Sequence, residues 1–139
     1  MPEREPDPAD APQTILLVDA DVLVRHGLAD YLRGCGYRVI EAGSTDEALV
    51  VLDQDEVSVD AVLCDAGTAG SLNGFELRRW LRDHRPDLHV VLAGNVAAAA
   101  GAAAELCDEG PHLNRPYDPK HVVDYVKRLL ARRESARPR

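Results

Sequence analysis

The sequence predicts a doubly wound α/β fold, a five-stranded parallel sheet in the order 2-1-3-4-5 with helices on both faces. Three observations carry that expectation. Two short apolar runs, Ile15-Leu16-Leu17-Val18 and Ala61-Val62-Leu63-Cys64, end abruptly on Asp19 and Asp65. Unbroken apolar runs of this length, bounded by charge, suit strands covered on both sides. Such runs alternate along the chain with apolar residues at helical spacing, the pattern of βαβ units. In these sheets ligands sit beyond the carboxyl ends of the strands where strand order reverses, which for this order lies between strands one and three. Asp19 and Asp65 end those two strands.

The bulk properties agree with one globular domain. The chain has 139 residues, 45% hydrophobic and 29% charged, enough for a single core. No apolar run approaches the roughly 18 residues that span a bilayer, and the start, MPEREPDPADAP, lacks the basic and apolar regions of a signal peptide. A cytoplasmic protein without a membrane anchor is expected. The net charge of −8 argues against a nucleic-acid face on the domain body. Cys35, Cys64 and Cys107 are odd in number and far apart, so reduced, partly buried thiols are expected, with neither a disulfide framework nor a zinc site.

Each element has its own signal. Residues 1–13 hold four prolines and several acids and read as a disordered lead-in. After the first strand, Val24, Leu28, Tyr31 and Leu32 form one face of a helix that Gly34 and Gly36 stop. Arg38 to Ala42 is a second strand, and Ser44 with Glu47 forms a capping box for a helix through Leu52. The third strand runs to Asp65, and Ala66 to Asn73 is a loop. Asn73 caps a third helix whose Leu77, Trp80 and Leu81 face the core, closing at Arg85-Pro86. His89 to Leu92 is the fourth strand. Val96 to Leu106, with seven alanines and one glycine, predicts a thinly anchored fourth helix. Gly110 to Leu113 is a weak fifth strand. Asp118 and Pro119 open a last helix striped by Val122, Val126, Leu129 and Leu130.

In this order and together, ILLVDAD followed by Arg25, GYRVIEA with EAL in the next helix, DAVLCDAGTAGSLNGFEL, and RPYDP resemble the receiver domain of two-component response regulators, a flavodoxin-like fold. The match runs from about Thr14 to Ala131, leaving 132–139 as a basic flexible tail. The resemblance implies that Asp65 accepts a phosphoryl group from a sensor histidine kinase or a histidine phosphotransfer protein. It implies Mg2+ held by Asp19, Asp65 and the backbone carbonyl of Gly67, with Arg115 pairing the phosphoryl oxygens. The added charge would then rearrange a face formed by helix 4, strand 5 and helix 5, through which a downstream protein is met. Such a domain is a switch more than an enzyme.

Several positions depart from the family. The spacing from Asp65 to NGFEL is one residue longer than the common pattern. Ala20 stands where a second metal-binding carboxylate is usual, which leaves Asp19 and Asp65 to hold Mg2+ more weakly; Asp21 matches a third acidic position that is commonly not a ligand. Ala93 replaces the Ser or Thr that caps a phosphoryl oxygen, and no Ser or Thr occurs between Leu72 and Glu134 to take its place. Arg115 replaces lysine, keeping the charge with a longer, rigid fork. His112 takes the place of the switch aromatic. The Arg115-Pro116 bond reads as an ordinary trans turn on base rates of about 5–6% cis, and the resemblance favours cis.

Plainer readings stand beside these. His26, His84, His89 and His121 lack metal-ligand spacing, His112 is either an edge residue or a pH-sensitive one, and Cys64 is a small core residue. The six basic residues from Lys127 to Arg139 suit a helix C-terminus or an acidic partner. The alternative class of function is a phosphorylation-independent pseudo-receiver, a binding module motivated by Ala20 and Ala93. A nucleotide or flavin domain would need a glycine loop after strand one, which VDADVLVR lacks. No helix-turn-helix or enzymatic domain follows, so output is expected through the receiver itself unless the chain is a piece of a longer regulator. A monomer and a homodimer are both compatible with the sequence.

Overall fold

The computed structural model describes residues 13–54 and 56–109, together with helical residues 123, 124, 127, 128, 131 and 132. The elements run β1 (Thr14–Val18), α1 (Val22–Gly34), β2 (Arg38–Ala42), α2 (Thr45–Leu52), β3 (Ala61–Asp65), α3 (Gly74–His84), β4 (His89–Ala93) and α4 (Val96–Glu109). The four strands form one sheet in the order β2-β1-β3-β4, each pair parallel. The expected order is thus met over the described residues, with helices on both faces. The expected fifth strand at Gly110 to Leu113 lies outside them. No described helix is long and apolar enough to cross a membrane.

β1 is the spine of the sheet, paired on both edges, and Ile15 to Val18 are all at most 1% exposed. Alternation along the strands splits the core in two. Ile15, Leu17, Ala61 and Leu63 face Val24, Leu28, Tyr31 and Leu32 of α1 and the alanines of α4. Leu16, Val18, Val62 and Cys64 face Ala48 and Leu52 of α2 and Leu77 and Leu81 of α3. Fully burying one such Leu or Val side chain is worth about 1.5–3 kcal/mol, so both layers contribute to stability.

At α2 half of the expected capping box forms: Ser44 Oγ accepts from Glu47 N–H at 3.1 Å, but Glu47 Oε2 accepts from Gly43 N–H at 2.7 Å and not from the Ser44 N–H. At α3, Asn73 and Glu76 close a reciprocal capping box. Gly36 takes φ 100° just past the end of α1, a conformation suited to glycine. The loop with the extra residue is docked on α2: Thr45 Oγ1 donates to Leu72 O at 2.6 Å, and Asp46 Oδ2 accepts from Ser71 N–H at 3.1 Å. Gly70, at φ 154°, permits this approach, since a Cβ there would lie 2.1 Å from Thr45 Oγ1.

One finding departs from expectation, and a second concerns the placement of α4. Cys35 and Cys107 are joined in a disulfide, Cα atoms 5.6 Å apart across 72 residues of chain, so the expectation of three reduced thiols is corrected. Only Cys64, buried, is free. The physical reason is topological. α1 and α4 both leave the carboxyl edge of the sheet and run back along one face, so their last turns meet, a proximity that no short spacing motif records. The second concerns α4 itself. Movement from β2 to β3 and from β3 to β4 passes over the α2/α3 face, and a right-handed crossover outward from β4 would use that face again. α4 lies instead on the α1 face, where Ala99, Ala100 and Ala103 pack closely and Tyr37 Oη donates to the Leu106 carbonyl. Val90 and Leu92, on the opposite face of β4, stay half-buried. Of the last helix, Val123 packs against the α1/α4 layer, while Asp124, Lys127, Arg128 and Arg132 are exposed; its expected apolar stripe lies outside the described residues.

Candidate functional site

The period-two alternation that builds the α1/α4 layer also builds the site. Ile15, Leu17 and then Asp19 point to one face, and so do Ala61, Leu63 and then Asp65, and Val91 and then Ala93. Where three neighbouring strands run out, positions 19, 65 and 93 therefore stand on one side of the sheet edge. Asp65 lies in register with Ala93, whose carbonyl accepts from Ala66 N–H at 2.8 Å. Asp19 and Asp65 open into a cleft walled by Val24 and by Asn95, Val96 and Ala99 at the start of α4.

The two carboxylates differ in setting. Asp19 is buried, 6% exposed, and its Oδ1 accepts from Asp21 N–H at 2.9 Å. Its carboxyl is pushed up to about 6, chiefly by burial and further by the charges of Asp65 and Asp21. The Asp21 N–H and the Arg25 guanidinium oppose that rise. Asp65 is half-buried, its backbone carbonyl accepts from Thr68 N–H at 3.0 Å, and among the described residues neither of its carboxylate oxygens accepts a hydrogen bond or meets a cation. An ionised pair in this position is short of positive charge. Burial, and then the same two carboxylates, push the Cys64 thiol up to about 12, so it stays protonated.

The surrounding groups are committed elsewhere. Asp21 caps α1, accepting from Leu23 and Val24 N–H at 3.0 and 3.3 Å. Arg25 braces the turn, donating to Asp19 O at 2.8 Å and to Glu41 Oε1 at 3.2 Å. Ala20 is exposed and Ala93 is buried, so neither position brings a polar side chain to the site. Gly67 stands where a Cβ would lie 3.3 Å from Asp65 Oδ2, which sets its backbone beside that carboxylate. Arg115, Pro116 and His112 lie outside the described residues.

This donor set fits a hard divalent cation. Among the described residues no cluster of three or more His, Cys, Asp or Glu is placed to hold a metal, so the protein offers two carboxylates and a nearby backbone. Mg2+ keeps several waters and is held through one or two carboxylates, which matches that offer. A cation here would also offset the burial, and the charges of Asp65 and Asp21, that raise Asp19.

The family profile of the response regulator receiver domain matches residues 15–127. The chain belongs to that family. Among curated relatives it is 31% identical over 122 residues to the sensor kinase CckA of Brucella abortus, covering 87% of this chain and 13% of that protein. It is 28% identical over 127 residues to the transcriptional regulatory protein GltR of Pseudomonas aeruginosa, covering 86% and 50%. The receiver thus spans half or less of these relatives. A CheY-like response regulator receiver domain protein from Methanospirillum hungatei superposes with a TM-score of 0.57 at 21% identity, covering 90% of this chain and 98% of that one, a likeness of fold.

Sequence reasoning missed Asn95. Its Oδ1 accepts from Ala98 N–H at 2.8 Å, capping α4, and it forms part of the cleft wall. An Asn directly before the first helical residue was the available signal.

Proposed function

We propose that this receiver takes a phosphoryl group on Asp65 from a sensor histidine kinase or a histidine phosphotransfer protein, in the cytoplasm, and acts as a switch with no enzymatic output of its own. The observation that supports this most is the Asp65 carboxylate, half-buried beside Asp19 yet without a hydrogen-bond or cation partner among the described residues. In the transfer a carboxylate oxygen of Asp65 attacks phosphorus, the P–N bond to the donor imidazole breaks, and an acyl phosphate forms. Mg2+ bound at Asp19, Asp65 and the Gly67 carbonyl would neutralise phosphoryl charge. Arg115 is assigned to the remaining oxygens, and output passes to a protein partner through helix 4 and the segments after it.

Ala93 favours a second reading, a pseudo-receiver that binds its partner without phosphate. A buried methyl stands in register with Asp65 where a hydroxyl would bond a phosphoryl oxygen. The two readings separate on intact-protein mass after incubation with acetyl phosphate and Mg2+, with an Asp65→Asn sample and a chelated sample alongside. A single phosphoryl adduct that requires both Asp65 and Mg2+ supports the first. No adduct at saturating donor and metal supports the second.

A further inference from the structure

We infer that Cys35 and Cys107 form a redox-responsive clasp that holds α4 against α1 and so fixes the wall of the acidic cleft. The inference stands on placement and does not require that Asp65 be phosphorylated.

α4 bridges two places. Its first turn, with Asn95, Val96 and Ala99, walls the cleft beside Asp19 and Asp65, and its last turn carries Cys107. The 14 residues between Val96 and Glu109 make a rod of about 21 Å, so what happens at one end is felt at the other. Its non-covalent hold is thin. The buried residues of its inner face include Ala99, Ala100, Ala103 and Ala104, which bury little apolar area and so little stabilising free energy. Leu106 and the Tyr37 hydroxyl bond to its carbonyl add to the hold near the C-terminal end. A covalent tie across 72 residues therefore carries a large share of what keeps α4 there.

The pair is suited to reversible chemistry. Cys35 is the C-cap of α1 and Cys107 lies in the last turn of α4, positions where helices open first. Both cysteines are shielded when the clasp is shut, at 0% and 3% residue exposure. Closure needs a two-electron oxidant, for which a peroxide serves. One thiolate attacks the peroxide O–O bond to give a sulfenic acid and hydroxide, and the second thiol displaces water to form the S–S bond. Two sulfurs lose one electron each and the peroxide gains two. A dithiol reductant reverses the step by exchange. Reduced thiols are the ordinary state in a cytoplasm, where disulfides that do form are usually transient or redox-sensing.

The test uses the full chain in two states of one sequence, treated with hydrogen peroxide or with dithiothreitol and then desalted. Alkylation after denaturation should find one thiol, Cys64, in the first and three in the second. Hydrogen exchange should be about tenfold faster in the reduced protein across 100–109, with a smaller rise carried into 95–99 at the cleft wall. In Cys35→Ala, peroxide should alter neither the α4 rates nor the cleft wall. Three free thiols after peroxide, or equal α4 exchange in the two states, would overturn the clasp. Failure of Asp65 to take phosphate would leave all of these readouts unchanged.

Discussion

At the scale of single residues, Asp19 stores the tension of the site. Its folded carboxyl lies near 6 against an ordinary 3.8, so between those values the folded state binds a proton that the unfolded state releases. Stability therefore falls as pH rises through that window and stays lowered above it. Asp19→Asn keeps an oxygen for the Asp21 N–H and removes the charge. Without metal it should melt higher than the parent at pH 7.5, and the gap should close toward pH 4; calorimetry at the two pH values reads this directly, and an equal or lower melting point at pH 7.5 would contradict it. Millimolar Mg2+ should raise the parent's melting temperature and not that of Asp19→Asn. The same metal-induced rise should shrink as pH drops through about 6, since proton and cation compete for one carboxylate.

Ala93 gives a second prediction at this scale. Its register with Asp65 and its place on the same face would put a hydroxyl introduced there beside the proposed phosphoryl group on Asp65. Ala93→Thr should raise the yield or lifetime of the acyl phosphate severalfold, the effect of one net hydrogen bond of about 1 kcal/mol. Phosphate release followed over time measures it, and an unchanged lifetime would show that position 93 does not reach the phosphoryl oxygens.

At the scale of elements, the strands and the first three helices were legible because their signals are local. Apolar runs ending on charge gave β1 and β3, and the Ser44 and Asn73 caps placed α2 and α3 at the residues where they begin. The extra residue after Asp65 was legible as loop, but its docking on α2 was not, since Thr45 and Asp46 meet it only in three dimensions. Gly70 is the pivot of that docking. Gly70→Ala should destabilise by about 1–3 kcal/mol through backbone strain and the crowding of Thr45, seen as a lower denaturation midpoint with an unchanged slope. α4 was the least legible element. Its alanines predict helix but carry too little bulk to announce a face, and the partnership of Cys35 with Cys107 depends on two helices ending at the same level.

At the scale of the molecule, strand order determined where chemistry could occur. Reversal between β1 and β3 brings Asp19 and Asp65 to one edge, and that part of the site was readable before any coordinates, because period-two alternation fixes which side a strand's last residue takes. The wall that closes the cleft was not readable, because it depends on which face α4 chooses. Ala20 and Ala93 offer the site no polar side chain, so any phosphoryl transfer there turns on one carboxylate, Asp65. The direct measurement is borohydride reduction of the protein after exposure to acetyl phosphate and Mg2+, followed by peptide sequencing in the mass spectrometer. An acyl phosphate at Asp65 would be converted to homoserine at that position, and this is the expected result, absent when the metal is chelated. An unmodified Asp65 at saturating donor, or homoserine at any other aspartate in its place, would contradict the account.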